Sequence, residues 1–343
     1  MIAGEMRFRS LPLCAVVAVL ALGFAAGARA EKKPQLVKPM AGPRATALRV
    51  TWLYIGPDKQ SQKVDRVQPG RELVVAEKSG PWIRVYANTD IEEEHTSDQP
   101  IFGTDEVPPP ISGWMEAKGV IVESTQQGDQ ILMGAAASME ESASDPKGPA
   151  NAAHAAHLLY RRLVEMYPNS PLAAEAAWRA ADILWQLQKS DIGNLPSSKE
   201  RDSYLRQQMD EDGLKKVIKY YPGTRQADLA AFDLIDNKLC GDWQGSEKCP
   251  AKESEYYEKY ADEHPESPRA ARALFEAVYR QAVLADMFAA DDNEGKQQDA
   301  IRHAHEIAAR LKDKYSQTDY AARAAALVFK LDQGVPVYGI DRP

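Results

Sequence analysis

The chain has 343 residues, of which 44% are hydrophobic and 27% charged. That length is enough for two domains and too long for one small core, and both fractions are ordinary for a soluble protein. The formal net charge of -8 argues against a nucleic-acid partner, because neutralising phosphates needs clustered Lys and Arg; an acidic surface chiefly gives solubility.

The N-terminus carries the clearest signal. Arg7 and Arg9 form a basic start, Leu11 to Phe24 is an apolar run broken by Pro12 and Gly23, and Ala25-Ala26-Gly27-Ala28-Arg29-Ala30 puts small residues at positions 28 and 30. This three-part pattern predicts a secretory signal peptide over residues 1–30, cleaved after Ala30. The apolar run is about fourteen residues, short of the roughly 20 that span a bilayer. A retained membrane anchor is the alternative. Cys14 sits at the start of the run behind Leu13 rather than behind a small residue, so lipidation there is not expected.

Cleavage removes three arginines and one glutamate, a net +2, and takes the chain from -8 to -10. It leaves two cysteines, Cys240 and Cys249. An even count in an oxidising compartment reads as a disulfide, and the intervening Gly-Asp-Trp-Gln-Gly-Ser-Glu-Lys is turn-like. Two free thiols are the alternative; the spacing is not a redox pair, and no histidine stands close enough in sequence to complete a zinc site. The expected location is the periplasm or the exterior.

Residues 31–44 read as a flexible leader. From residue 45 the character turns to short β-type runs: Leu48 to Ile55, Val64 to Val67, Glu72 to Glu77, Trp82 to Tyr86 and Ile111 to Val122, with Gly56-Pro57-Asp58, Pro69-Gly70 and Ser79-Gly80-Pro81 as turns. Five short strands joined by turns predict a small all-β barrel over residues 45–123. Residues 88–110 look like a solvated insertion carrying Glu92, Glu93, Glu94, Asp98, Asp105, Glu106 and three prolines; the carboxylates lack the spacing and glycine of a calcium loop.

The segments Val67-Gln68-Pro69-Gly70-Arg71-Glu72-Leu73, Gly80-Pro81-Trp82-Ile83-Arg84-Val85 and Ser112-Gly113-Trp114-Met115 resemble the bacterial SH3-like (SH3b) domain. The opening Asn-Val-Arg-Ser-Gly-Pro motif of that family is only partly present, as Val50 and Gly56-Pro57. The resemblance implies a groove for cell-wall peptides or polypeptide segments. Trp52, Tyr54, Trp82, Tyr86 and Trp114 are the candidate groove residues; Trp82 and Trp114 as plain barrel core is the other reading, since aromatic side chains serve both uses.

Residues 124–149 shift to Gln, Gly, Ser, Glu and Pro and read as a linker, with a short helix possible over Ile131 to Met139. From residue 150 helical patterning dominates and repeats. The junctions Tyr167-Pro168-Asn169-Ser170, Tyr221-Pro222-Gly223-Thr224, His264-Pro265-Glu266-Ser267 and Tyr315-Ser316-Gln317-Thr318 align without gaps, each followed by alanine at the sixth and ninth places after its first residue. The first residue is expected to end one helix, the proline to stop it, and Ser170, Thr224, Ser267 and Thr318 to N-cap the next. Four helix hairpins stacked as an all-α solenoid over residues 150–332 follow, with residues 333–343 as an extended tail.

This pattern resembles tetratricopeptide repeats, and more closely the divergent kind in periplasmic proteins of the BamD and Tol–Pal-associated type. The anchor spacings of 54, 43 and 51 residues exceed the usual 34. The resemblance implies a groove for protein partners.

No phosphate loop, nucleophile elbow or H-E-x-x-H is present, and no cofactor or catalytic residue is expected. His154 and His157 lie one turn apart, a weak metal pair; His303 and His305 point to different sides of a helix. The reading is a non-enzymatic cell-envelope scaffold that binds envelope proteins through the repeats and a peptide or peptidoglycan through the SH3-like domain. The alternatives are a peptidoglycan-targeting accessory of cell-wall enzymes and a cryptic cell-wall hydrolase.

Overall fold

Seven antiparallel strands open the described chain. The computed structural model describes residues 42–87, 89 and 110–338; the predicted signal peptide, nearly all of the leader and the 88–110 insertion, and the last five residues lie outside them. The strands are β1 (Arg44–Ala47), β2 (Thr51–Tyr54), β3 (Lys63–Val67), β4 (Glu72–Ser79), β5 (Trp82–Ala87), β6 (Ile111–Glu116) and β7 (Val120–Val122). They form one sheet in the order β3-β2-β6-β5-β4-β1-β7. Ladder pairing therefore leaves β3 and β7 as its two ends. The strand period of two puts Leu53, Ile83, Val85 and Met115 on the inner face, where all are buried.

The expected first run is divided. Leu48 to Val50 is a bend between β1 and β2, and β1 begins before the expected boundary. Leu48 leaves the sheet because it packs with Ile121 and Leu132 in the core shared with the helices. The last run divides at Gly119, whose φ of +82° reverses the chain between β6 and β7.

Among the described residues nine α-helices follow: α1 (Gly128–Ala143), α2 (Ala152–Met166), α3 (Ala173–Gly193), α4 (Asp212–Tyr220), α5 (Arg225–Asp233), α6 (Lys248–Glu263), α7 (Ala270–Ala290), α8 (Glu294–Tyr315) and α9 (Asp319–Asp332). The residues expected as a linker thus contain a 16-residue helix. Its reason is packing: Leu132 and Ala136 lie one turn apart, are fully buried, and meet Leu159, Tyr160 and Leu163 of α2. Burying Leu132 alone contributes about 2 kcal/mol.

Neighbouring helices pack on one another, α1 on α2, α2 on α3, α3 on α4, α4 on α5, α6 on α7, α7 on α8 and α8 on α9, and α7 also meets α9. The junctions are built from the expected residues. Tyr167, Tyr221 and His264 stand at the C-caps of α2, α4 and α6 with nearly identical backbone angles, outside the α region that a following proline disfavours. Tyr315, with no proline after it, is instead the last residue of α8.

The capping expectation holds for one threonine in full. Thr224 caps α5 and accepts from the Ala227 amide at 3.2 Å. Thr318 occupies the N-cap of α9, but its hydroxyl donates to the Tyr315 carbonyl at 2.8 Å and caps nothing. Ser170 and Ser267 stand before a tight turn that precedes α3 and α7, and accept from the Leu172 and Arg269 amides, each at 3.1 Å. In both, a proline follows the serine and starts the turn, so the regular helix begins three residues later.

Sheet and helices dock. Gly70, in the Pro69-Gly70 turn before β4, has φ +81° and lies so close to α2 that a β-carbon there would meet Leu158 Cβ at 2.5 Å. Arg162 of α2, 2% exposed, donates from Nε to the Gly70 carbonyl at 3.0 Å and lies 3.7 Å from Glu72. Tyr167 donates to the Val122 carbonyl at 2.9 Å. A β-carbon on Gly128, the first residue of α1, would sit 1.9 Å from that hydroxyl, so a side chain there would push the Tyr167 ring aside.

Candidate functional site

The expected groove residues gather on the outer face of the sheet. Tyr54 of β2 pairs with Trp114 of β6, Trp114 with Arg84 of β5, and Arg84 with Glu77 of β4. These four make one cross-strand row, in which side chains are direct neighbours. Trp82, two residues before Arg84, reaches back so that its ring meets Tyr54 edge to face at 5.7 Å. Tyr86 lies two residues beyond Arg84 on the same face. Trp82, Trp114, Tyr54 and Tyr86 are half-buried, and Trp52 is 38% exposed. Reading Trp82 and Trp114 as barrel core is thereby corrected. The core on the other face is filled by Leu53, Ile83, Val85 and Met115, and alternation leaves the tryptophans outside.

Charges frame the rings. The Lys63 ammonium lies 4.4 Å and the Arg66 guanidinium 5.5 Å from the Trp52 ring centre, positions where the ring quadrupole attracts a cation. Arg84 Nε sits 3.2 Å from Glu77 Oε2. Lys59 and Glu116 pair at 2.9 Å, and the Lys59 hydrogen bond holds the Glu116 carboxyl below the usual carboxylate range. Flat apolar faces beside fixed cations and carboxylates suit an extended ligand carrying amides and charged ends.

The helical part holds three further clusters. The first surrounds the disulfide. Cys240 and Cys249 are bonded, with Cα atoms 6.0 Å apart, and the bond closes the loop between α5 and α6. Buried Glu253 accepts from the Cys240 amide at 2.9 Å, the Trp243 indole at 3.0 Å and Arg280 Nε at 3.0 Å. Trp243 and Tyr257 flank the Arg280 guanidinium. A buried charge pair needs this full set of partners.

The second cluster is a group of carboxylates at the contact of α3 with α5. Burial raises Asp182 above the usual range. Burial pushes Asp233 up to about 7, with the Asp182 and Asp236 carboxylates adding to it. The Trp178 indole N–H lies beside Asp233 and opposes the shift without an aligned hydrogen bond. Sequence spacing gives no sign of this group, because Asp182 is some fifty residues from Asp233 and Asp236 and meets them only where α3 packs on α5. The third feature is a groove of about 380 Å³ between α6, α7 and α8, with Ala251, Leu284 and Phe288 as apolar lining and Glu255, Lys296 and Asp299 among its charged residues.

The histidines are placed individually. His157 is buried, with Nδ1 2.7 Å from the Ala180 carbonyl, and its ring lies 6.2 Å from that of His154. His303 and His305 do diverge, to Glu258 of α6 at 3.2 Å and Asp332 of α9 at 2.8 Å. His264 takes the junction place, stacked on Tyr260 at 4.8 Å and bonded to Asp228 at 2.8 Å. Among the described residues no three or more His, Cys, Asp or Glu are grouped to hold a metal ion, and no helix is long and apolar enough to cross a membrane.

A scan against protein-family models and a search of curated proteins return no match.

Proposed function

We propose that this chain is a non-enzymatic scaffold of the cell envelope whose sheet, an SH3-like domain, binds a peptide segment of the peptidoglycan stem-peptide kind. The observation that carries the reading is the outer row Tyr54–Trp114–Arg84–Glu77 flanked by Trp82 and Trp52. Aromatic rings there contribute area at little entropy cost, and the fixed charges orient a ligand's carboxylate and amine. The core lies on the opposite face, so the packing of the domain leaves these rings available for contact.

The helix pairs, as tetratricopeptide-like repeats, would take a protein partner. Because the sheet is docked on α2, the two surfaces would be presented at a fixed separation, and two weak contacts gain avidity that way. The signal-peptide pattern and the disulfide both favour a place outside the cytoplasm, periplasmic or secreted.

Co-sedimentation of the purified chain with peptidoglycan sacculi tests the reading. The Trp82→Ala/Trp114→Ala variant, checked for folding by circular dichroism, is expected to lose binding at least tenfold, since each stacking ring is worth about 1 kcal/mol or more. Equal binding by the folded variant, or none by the parent, overturns it.

A further inference from the structure

The charges on the outer face of the sheet do not balance. Glu77 has Arg84 at 3.2 Å, and Glu116 has Lys59 at 2.9 Å. Lys63 and Arg66 of β3 are exposed, and among the described residues neither has a carboxylate within ion-pair distance. Asp65, between them, pairs with Leu53 of the inner face, and its carboxylate accepts the Arg66 backbone amide at 2.7 Å. Two cations are therefore left over at the β3 edge, on a chain whose net charge is -8.

The position of these two cations is tied to the aromatic row. Lys63 is the cross-strand neighbour of Tyr54, and Arg66 that of Trp52. Lys63 thereby extends the row Tyr54–Trp114–Arg84–Glu77 by one strand. Both head groups reach the same indole, at 4.4 Å and 5.5 Å from the Trp52 ring centre. Contact with the ring holds two long side chains in place before any ligand arrives, which lowers the entropy lost on binding. An arginine guanidinium can give a carboxylate two parallel N–H bonds, and a lysine ammonium adds a point charge. The row is cationic and unpaired at β3, and neutralised at β4, where Glu77 meets Arg84.

We infer that Lys63 and Arg66, held on Trp52, bind the terminal carboxylate of the peptide whose body lies over Tyr54, Trp114 and Trp82. Ligand direction and end group follow only if a peptide binds this face as proposed. The complementary charge is what the face lacks: a single carboxylate at the β3 edge meets both unpaired cations. In the sheet order, β2 separates β3 from β6. Two strand spacings are about 10 Å, which an extended peptide covers in about three residues. The free carboxylate is therefore set that far along the ligand from the part stacked on Trp114, and a ligand lacking it loses its anchor at one end.

Calorimetric titration of the purified chain with two soluble stem peptides tests this, one ending in a free carboxylate and the other, otherwise identical, in a carboxamide. The parent is expected to bind the free acid roughly five- to tenfold more tightly, the effect of two charge-assisted contacts at an exposed site. Lys63→Gln/Arg66→Gln changes two exposed side chains and is checked for folding by circular dichroism. It is expected to bind both peptides alike, at the level the parent shows for the carboxamide. Equal binding of the two peptides by the parent overturns the inference and leaves peptide binding on this face standing. A preference for the acid that the folded variant keeps overturns it as well, since the carboxylate then sits elsewhere. Failure of the parent to bind either peptide overturns both the inference and the peptide-binding function.

Discussion

Arg162 Nε donates to the Gly70 carbonyl at 3.0 Å, and this bond joins a turn of the sheet to the second helix. The turn's glycine is needed because α2 lies against it. Gly70→Ala adds a β-carbon in a left-handed conformation 2.5 Å from Leu158 Cβ. It is expected to cost about 2 kcal/mol or more. Arg162→Ala, which strips the buried partner from Gly70 and Glu72, is expected to cost about 3 kcal/mol. Urea unfolding followed by tryptophan fluorescence checks both; values within experimental error of the parent would contradict the docking.

The contribution of Asp233 to stability is expected to fall as pH rises from 4 to 8. The folded pKa of Asp233, about 7, lies above its ordinary 3.8, so the folded chain holds a proton that the unfolded chain releases. The stabilisation is complete below about pH 4, is lost as pH passes through about 7, and is flat above. Asp233→Asn keeps the shape without the charge and is expected to gain on the order of 2–4 kcal/mol over the parent at pH 8 and little at pH 4. A pH series of denaturant midpoints checks this; parallel profiles for the two proteins would contradict it.

The disulfide is expected to matter locally and globally. Cys240→Ser/Cys249→Ser, or reduction, is expected to lower stability by roughly 2–3 kcal/mol through loop entropy. It should also speed hydrogen exchange at the Cys240 amide and the Trp243 indole, the two donors that Glu253 accepts from alongside Arg280. Unchanged exchange at both would mean that the Glu253–Arg280 contact holds the loop without the bond.

The arginine of one helix pair stacks on the aromatic ring of the pair before it, Arg272 on Phe232 and Arg323 on Phe275. A double-mutant cycle on Arg323 and Phe275, each to alanine, is expected to give a coupling of about 0.5–1 kcal/mol. Additive effects would remove this contact from the packing of α7 on α9.

Much of this layout was legible in sequence. The junction residues mark helix ends because a residue before proline is disfavoured in the α region, and Tyr167, Tyr221 and His264 leave it at three separate places. Strand alternation puts Trp82, Arg84 and Tyr86 on one face and Ile83 and Val85 on the other, but period two alone does not say which face is core. Helix α1 was harder to read, because its Gln, Gly and Ser content resembles a linker, while its burial depends on Leu159 and Tyr160 of another helix. Ser170 and Ser267 stand two residues before the N-caps Leu172 and Arg269, because a tight turn precedes their helices. The Asp182–Asp233 group and the arginine stacks were invisible in the sequence, since both arise between helix pairs and no local spacing encodes them.

The six tryptophans offer the most direct test of the central claim. Indole N–H signals of the isotope-labelled chain would be followed by NMR while a peptidoglycan stem peptide is added. Shifts at Trp52, Trp82 and Trp114 of the sheet, with Trp178, Trp185 and Trp243 of the helical part unmoved, are the predicted result. No shift at the first three, or shifts confined to the other three, would contradict ligand binding on the outer face of the sheet.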